Sequence, residues 1–375
     1  MAKFRSGWRK PRTVRDVLSR LDLSEAEIAE AEAAGTDELL AIDGVVLPEK
    51  LEFTLEELAA KAGADPSVVR AYWRAMGFGP PDEREPLFSK RDVHIVKSLV
   101  RLMDQGVIDI DVALQMTRVL GQSMALVATA ALDASESRAT ERRVDGASGQ
   151  PGEHDPATAA LALRAEELLP FLSEAIDYSF RRHLRAAARR RMAVASALDG
   201  TGEVVGFADL ARFGELSRQL GESDLARLLS RFDHLANDVV VAHGGRIVKM
   251  IGDAAMFTVV EPEQAARIAL RLAEAVPGDG QSAIRVGMAN GPVLARDGDL
   301  YGPVVNLASR LGVLGRPGAV NVSQELRDAL AGNSEFKLRS LGERQLRHIG
   351  SVRVYRLRSG SEWAQTEPAG LLSSS

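Results

Sequence analysis

The sequence of 375 residues contains no cysteine. Disulfide bonds, zinc–thiolate sites and thiol nucleophiles are therefore excluded, which suits a reducing cytoplasm. The sequence also lacks any run of about 18 apolar residues, so no segment is predicted to span a membrane. The basic opening MAKFRSGWRKPR has none of the apolar core that a signal peptide requires. These absences together lead us to expect a cytoplasmic protein.

A strong excess of either charge is also missing. The formal net charge of −5 at pH 7 gives no overall reason to expect nucleic acid or an anionic membrane as a partner. What is present is an ordinary soluble composition, with 45% hydrophobic and 26% charged residues, which is ample for real hydrophobic cores. The length indicates two domains, or one and a half with connectors.

The N-terminal third of the sequence has the pattern of short helices. Residues 1–133 are predicted to form an all-helical domain, in which FTLEELAAKAGADPSVVRAYWRAMGF is typical of a helix-turn-helix. Thr54 and Glu57 fit a capping box at the start of its first helix, and Pro66 fits the first turn of its second helix. This passage and the following LFSKRDVHIVKSLVRLMDQGVID resemble MerR-type regulators, so DNA binding is the competing interpretation.

The charge of this segment argues against DNA binding. Between residues 51 and 111, acidic residues outnumber lysine and arginine, whereas a DNA-binding module should carry a basic face. The helix that would read DNA offers only Arg70 and Arg74, beside the bulky Tyr72 and Trp73. A helical domain that makes protein contacts is therefore the preferred interpretation, and nucleic acid is not expected as a partner.

A polar connection follows the helical domain. Residues 134–157 are rich in glycine, proline and serine, and we predict a disordered linker there. Residues 158–195 have a long helical pattern of connecting helices, which Pro170 should break or kink. The end of this pattern is densely basic, and His183 lies within its arginine cluster. This basic helical segment is either a solvated helix or a lever that joins two domains.

From residue 203 onward, strand and helix patterns alternate. They predict an α+β domain with helices against a mainly antiparallel sheet. Within it, GGRIVKMIGDAAMF is typical of two strands joined by a tight turn that carries Asp253. Because alternate side chains of a strand share a face, Lys249 is expected on the same face as Ile247 and Ile251.

Two carboxylates at strand ends are candidate metal ligands. Asp209 and Asp253 are each typical of an ordinary helix cap or turn when taken alone. Together they supply the hard oxygen ligands that a magnesium–triphosphate site requires. Asn306 and Arg310 are four residues apart and so share one face of their helix, although a surface helix would also tolerate both.

Four motifs connect these residues to a known family. GFADL, VKMIGDAAMF, DGDLYGPVVNLASRL and LGERQLRHI occur in this order and resemble the motifs of class III nucleotidyl cyclases. The whole layout is similar to the actinobacterial type, in which a helical N-terminal regulatory domain precedes one cyclase domain. The resemblance implies a cyclase domain at 196–359 with a ferredoxin-like βαββαβ core, followed by a flexible tail at 360–375.

The resemblance also implies how metal and base are bound. Asp209 and Asp253 would hold two Mg²⁺ or Mn²⁺ ions per site. Lys249 would meet ring N1 of adenine, and Asp299 would accept from its 6-amino group. Guanine presents the opposite donor and acceptor pattern on that edge, so the substrate implied is ATP.

Further roles are implied for the sugar and the phosphates. Asn306 would orient the ribose, and Arg310 would meet the charge that develops at the α-phosphate. The family has a Gly-Phe-Thr-like turn after its first metal aspartate, where this sequence has DLARFGEL with Phe213 and the added Arg212. Arg347 stands where the family places a lysine on the triphosphate.

In this family the site forms between two chains, so a homodimer with two equivalent sites is implied. The expected function is that of an adenylyl cyclase which converts ATP into 3′,5′-cyclic AMP and pyrophosphate under control of its N-terminal half. We expect this half to be inhibitory, and mild acid to loosen it by charging His183; alternatively, it only aids dimerisation. The competing function is a DNA-binding or scaffold protein with a degenerate cyclase domain.

Overall fold

The computed structural model describes residues 13–21, 23–144, 165–196, 202–275 and 283–360. The chain divides into two compact units, Met1–Arg182 and His183–Ser375, and each is described by itself. Among the described residues, no helix combines the length and the apolar character that a membrane crossing needs.

The first unit is helical, as the sequence predicts. Its helices are α1 (Val14–Leu18), α2 (Glu25–Ala34), α3 (Asp37–Val46), α4 (Leu55–Ala62), α5 (Pro66–Ala75), α6 (Lys90–Asp104) and α7 (Ile110–Val144). A further helix, α8 (Ala165–Ser196), begins in this unit and ends in the second.

Local sequence signals explain where α4 and α5 begin. Thr54 and Glu57 form the predicted capping box, in which each side chain accepts from the other residue's amide. The Asp65 side chain caps α5, and Pro66 occupies its first turn. These helices pack with α6 around a cluster that includes Leu58 and Phe88.

Two helices differ from the sequence-based expectations. The helix α7 continues to Val144 and so includes the first residues of the predicted linker, while residues 145–157 lie outside the described part of the chain. The helix α8 runs through Pro170 without interruption. The missing amide of Pro170 removes one hydrogen bond of this long helix, and the remaining bonds keep the helix continuous.

The second unit is built on a mixed sheet. Its strands are β1 (Glu203–Leu210), β2 (Arg246–Ile251), β3 (Ala254–Val259), β4 (Ile284–Gly291), β5 (Leu294–Arg296), β6 (Asp299–Tyr301), β7 (Val320–Val322), β8 (Phe336–Leu346) and β9 (Gly350–Ser359). Seven of them form one sheet in the order β2-β3-β1-β4-β7-β9-β8, and β5 pairs with β6. Only the β4–β7 pair is parallel among these pairings, which confirms the mainly antiparallel sheet.

Helices cover both faces of this sheet. They are α9 (Phe213–Leu216), α10 (Glu222–Ala242), α11 (Pro262–Glu274), α12 (Pro303–Val313) and α13 (Gln324–Ala329). Residues of α10, α11 and α13 form the larger core with one face, which we call the main-core face. Residues of α12 pack on the opposite face, which we call the α12 face. The expected order of a helical region followed by an α+β domain is confirmed.

The predicted position of Lys249 in β2 is wrong in one respect. A β-bulge lies between Ile247 and Lys249, where the pairing with β3 shifts by one residue. Ile247 pairs with Phe257 of the main-core face, whereas Lys249 pairs with Met256 of the α12 face. The bulge breaks the alternation, since an extra residue reverses the facing of those that follow. Lys249 therefore does not share a face with Ile247.

Candidate active site

The two candidate metal ligands lie at the same end of the sheet. Asp209 is near the end of β1, where it pairs with Ala254 of β3. Asp253 lies in the turn between β2 and β3, just after Gly252 with its positive φ of 60°. The amide of Leu210 donates to the carbonyl oxygen of Asp253 at 3.0 Å. This backbone bond holds the two carboxylate-bearing residues side by side.

A guanidinium from the neighbouring strand holds Asp209. Arg285 lies directly opposite it on β4, and both Nε and Nη2 donate to Asp209 Oδ2, at 3.0 and 2.6 Å. The other oxygen, Asp209 Oδ1, is buried and has no hydrogen-bond partner among the described residues. One oxygen of this carboxylate is thus fixed, and the other is left available for a ligand.

The charge state of Asp209 reflects these neighbours. Burial raises the pKa of its carboxyl, the hydrogen bonds and charge of Arg285 lower it, and the nearby Asp253 carboxylate raises it; the net direction is upward. A partly buried acidic pair with one adjacent guanidinium among the described residues favours a cation. The described residues contain no cluster of three or more His, Asp and Glu side chains that could enclose a metal. The pair fits a divalent ion whose remaining ligands are substrate oxygens and water.

A second pair joins β2 to β6. The Nζ of Lys249 lies 2.5 Å from Oδ2 of Asp299, whose Oδ1 accepts from the Leu300 amide at 2.8 Å. Partial burial opposes the ionisation of Asp299, but the bonds from Lys249 and Leu300 outweigh it and the pKa is lowered. Arg246 of β2 also donates to the carbonyl oxygen of Gly298 at 3.3 Å. The start of β6 is therefore tied to β2 at two points.

The other two candidate residues project from α12. Asn306 and Arg310 are both exposed, and neither side chain has a hydrogen-bonding or ionic partner among the described residues. Beneath them the helix lies directly on β4: a Cβ at Gly287 would come within 2.0 Å of the Gly312 nitrogen. Two facing glycines thus bring the backbone of α12 against the sheet and leave the polar pair on the outside.

Phe213 and Arg347 stand apart from these pairs. Phe213 begins α9 and packs against the main core. It follows Arg212, whose φ of 66° is left-handed and whose Nε donates to Glu215 at 3.0 Å. Arg347 is exposed in the turn between β8 and β9. No described contact joins Phe213 or Arg347 to the candidate residues on β1, β2 or α12.

The structure therefore joins four of the eight candidates in two pairs, Asp209 with Asp253 and Lys249 with Asp299. It also adds a residue that sequence reasoning missed, Arg285. A charged residue in an otherwise apolar strand was the available signal, but its partner becomes evident only from the register of β1 and β4.

Comparison with known proteins identifies the family of this chain. The family model of the adenylate and guanylate cyclase catalytic domain matches residues 201–359. An adenylate cyclase of Streptomyces coelicolor is 34% identical over 303 residues, which cover 79% of this chain and 76% of that protein. An adenylate cyclase of Glutamicibacter nicotianae is 28% identical over 353 residues, covering 90% and 84%.

A third relative is similar over both units. This protein, a pH-sensitive adenylate cyclase of Mycobacterium tuberculosis, is 30% identical over 338 residues, which cover 86% of this chain and 82% of its own. Such matches extend well beyond the residues of the catalytic-domain model and include helical N-terminal sequence. The chain therefore belongs to the class III adenylate cyclases, in the actinobacterial group in which a helical region precedes one cyclase domain.

Proposed function

We propose that this adenylate cyclase converts ATP into 3′,5′-cyclic AMP and pyrophosphate at sites shared by two copies of the chain, with its helical N-terminal half as the regulator. The observation that carries the proposal is the acidic pair at the end of β1. Asp209 Oδ1 is buried without a hydrogen-bond partner among the described residues, and Asp253 is held beside Asp209 through the Leu210 amide. A buried carboxylate oxygen in this state favours a cation.

Asp209 and Asp253 would hold two Mg²⁺ or Mn²⁺ ions. Such ions supply Lewis-acid stabilisation of phosphoryl oxygens and lower the pKa of a coordinated hydroxyl. The protein's part is to fix the ligands: Arg285 orients the Asp209 carboxylate through Oδ2, and the β2–β3 turn fixes Asp253. The acidic pair also favours a cationic ligand over bare phosphate at this position.

Lys249 and Asp299 would bind the adenine edge. An ammonium donates to ring N1, and a carboxylate accepts from the 6-amino group. In the structure the two groups bond to each other at 2.5 Å, which supports a shared role for them. Guanine offers a donor at N1 and an acceptor at O6, and this pair would therefore discriminate against GTP.

Asn306 and Arg310 would act on the nucleotide of a second copy. Both are exposed on α12 and have no partner in their own chain among the described residues, as groups that complete a site across an interface should be. Asn306 would orient the ribose, and Arg310 would stabilise charge at the α-phosphate, a kind of contribution typically worth ~2.7–4 kcal/mol in the barrier. Phe213 and Arg347 would border the triphosphate.

Regulation is assigned to the N-terminal half. The helical unit precedes the catalytic unit, and α8 belongs to both. A site completed by two catalytic units requires a particular approach of the two chains, and competing helical packing would inhibit it. The similarity to a pH-sensitive relative supports mild acid as the signal, with His183 of α8 as the group to test.

Complementation between two inactive variants tests the catalytic proposal. Asp209→Ala removes a metal ligand and Arg310→Ala removes a group supplied by the other chain, so each homodimer should make cyclic AMP at less than about 1% of the wild-type rate. Mixing the two should restore activity, because one of the two sites in a mixed dimer retains both groups. Absence of recovery after subunit exchange, shown with tagged chains, would disprove the shared site.

A further inference from the structure

The ends of β8 and β9 place positive charges opposite one another. Lys337 pairs with Arg358, and Arg339 pairs with Arg356. Like charges in directly opposed positions destabilise an antiparallel pair. Two such like-charged pairs on the same two strands therefore require another interaction that offsets their repulsion.

These four cations share one face of the sheet. Between them lies the pair Leu338 and Leu357, which packs into the main core. Because alternate residues face opposite ways, the cations lie on the α12 face. Arg316 joins them from the loop between α12 and β7. We call these five residues, Arg316, Lys337, Arg339, Arg356 and Arg358, the basic cluster.

The cluster borders a cleft at this end of the sheet. The cleft has a volume of about 560 Å³, and Arg316, Arg356 and Arg358 line it on one side. The end of α11 lines the other side with Leu270, Ala273 and Glu274, the one acid among its described lining residues. Lys337 and Arg339 stand next to it on the adjoining strand. A cavity of this size fits a small ligand, since binding pockets for such molecules typically measure about 300–1,000 Å³.

Several cations of this cluster are not neutralised by an acidic side chain of the described residues. Among the described residues, Arg316, Lys337 and Arg339 have no ion-pair partner. Arg356 is partly buried, and its Nε donates to the neutral amide oxygen of Asn321 at 3.0 Å. Burial lowers the pKa of Arg356, and the charges of Arg358 and Arg316 lower it further. Positive charge is thus concentrated beside a cleft at a cost to stability.

We propose that the basic cluster binds a small anion with several phosphate groups, either inorganic pyrophosphate or the phosphate chain of a nucleotide. Guanidinium groups match phosphate oxygens with two parallel hydrogen bonds, and several phosphates would offset the opposed charges on β8 and β9. The concave shape favours a small molecule over a nucleic acid backbone, which would follow an extended groove.

The position separates this cluster from the acidic pair. The cluster lies on β8, β9 and the loop before β7, whereas Asp209 and Asp253 lie at β1 and the β2–β3 turn, across β4 in the sheet order. One path leads from the cluster to α12: Arg356 contacts Asn321, whose Nδ2 donates to the carbonyl oxygen of Leu311 at 2.9 Å. An anion bound at Arg356 would therefore act, through these two hydrogen bonds, on the helix that carries Arg310.

Binding without divalent metal tests the proposal. Pyrophosphate and ATP would be titrated, separately, into the full-length Asp209→Ala variant in the presence of EDTA, with heat of binding and melting temperature as readouts. We expect saturable binding and a higher melting temperature. A response to pyrophosphate alone would identify the free anion as the ligand, and a tighter response to ATP would identify the nucleotide.

Two variants and one matched control separate binding from fold effects. Arg316→Gln removes a cleft cation and should weaken binding roughly tenfold. Arg339→Gln removes the charge opposite Arg356 and should raise the melting temperature without anion while reducing the response to it. The control Arg353→Gln changes another arginine of β9, which lies near Glu343 at 3.9 Å, and should leave binding unchanged.

Three results would overturn the proposal. The first is an equal response of wild type, Arg316→Gln and Arg353→Gln, which would show non-specific ion binding. The second is an Arg339→Gln variant that is no more stable than wild type without anion. The third is saturable binding of DNA or anionic vesicles by a chain that binds neither pyrophosphate nor ATP.

Discussion

Arg285 shows how one side chain positions the acidic pair. It holds one oxygen of Asp209, while the other has no hydrogen-bond partner in the part of the chain that the structure describes. Groups that orient a metal ligand typically contribute 10–100-fold in affinity or activity. We therefore expect Arg285→Ala to lower cyclic AMP production by about 10–100-fold and to raise the Mn²⁺ concentration needed for half-maximal activity.

The matched control for Arg285 is Arg227→Ala. Arg227 forms an exposed ion pair with Asp224 on α10, and pairs of this kind contribute little to stability. This variant should retain wild-type activity and metal dependence. Arg285→Lys keeps the charge but loses the paired donors. Its activity should lie between that of Arg285→Ala and that of Arg227→Ala. Wild-type kinetics in Arg285→Ala would show that Asp209 needs no such support.

The pair of Lys249 and Asp299 makes a separate prediction at this scale. Replacing both, as Lys249→Glu with Asp299→Cys, removes the donor for ring N1 and the acceptor for the 6-amino group. We expect kcat/KM for ATP to fall by at least about tenfold, and the ratio of GTP to ATP use to rise. The measurement is product formation from each nucleotide alone. An unchanged ATP preference would show that the base is recognised elsewhere.

Among the elements, α12 depends most closely on the sheet. A Cβ at Gly287 would lie 2.0 Å from the Gly312 nitrogen and 2.3 Å from the Ala308 carbonyl oxygen. Gly287→Ala should therefore push α12 outward, lower the free energy of unfolding by about 1–3 kcal/mol and displace Asn306 and Arg310. Urea unfolding and cyclic AMP assays measure the two effects.

An open glycine serves as the control for Gly287. A Cβ at Gly79 would meet nothing within 4 Å, so Gly79→Ala should leave both stability and activity close to wild type. If Gly287→Ala loses stability but keeps full kcat, the exact placement of α12 is not needed for turnover.

Local elements were predictable, whereas contacts between distant segments were not. The capping box of Thr54 and Glu57 and the Asp253 turn depend on neighbours within a few residues, so the sequence alone indicates them. The contact of Arg285 with Asp209 depends on the register of β1 with β4, and the basic cluster depends on that of β8 with β9. Spacing along the chain carries no signal for such pairings.

For the molecule as a whole, the proposed inhibition predicts that shortening the chain increases its activity. The second compact unit begins at His183. A chain of residues 183–375 should be about 5–150-fold more active than the full chain, the range of a typical coupling energy. Cyclic AMP production by both chains across pH 5.5 to 8 measures this. Lower activity of the short chain at every pH would mean that the N-terminal half assists catalysis.

The proposed acid signal can be tested separately, with a variant of His183 in the full chain. Protonation of His183, which is exposed on α8, would add positive charge beside Arg182, Arg185 and the Arg181–Asp177 ion pair, and the added repulsion should oppose the inhibited arrangement as pH falls. If His183 carries the proposed acid signal, His183→Ala should reduce the rise in activity towards acidic pH. An unchanged pH profile would assign the acid response to other groups.

The bulge in β2 constrains how this protein can change during evolution. Lys249 lies on the α12 face because one extra residue separates it from the register of Ile247. Loss of a single residue between Ile247 and Lys249 would turn the Lys249 side chain to the main-core face, whatever the remaining sequence. Insertions and deletions between Ile247 and Lys249 should therefore be rare among active relatives. Selection should preserve the length of this segment as well as the identities of Lys249 and Asp253.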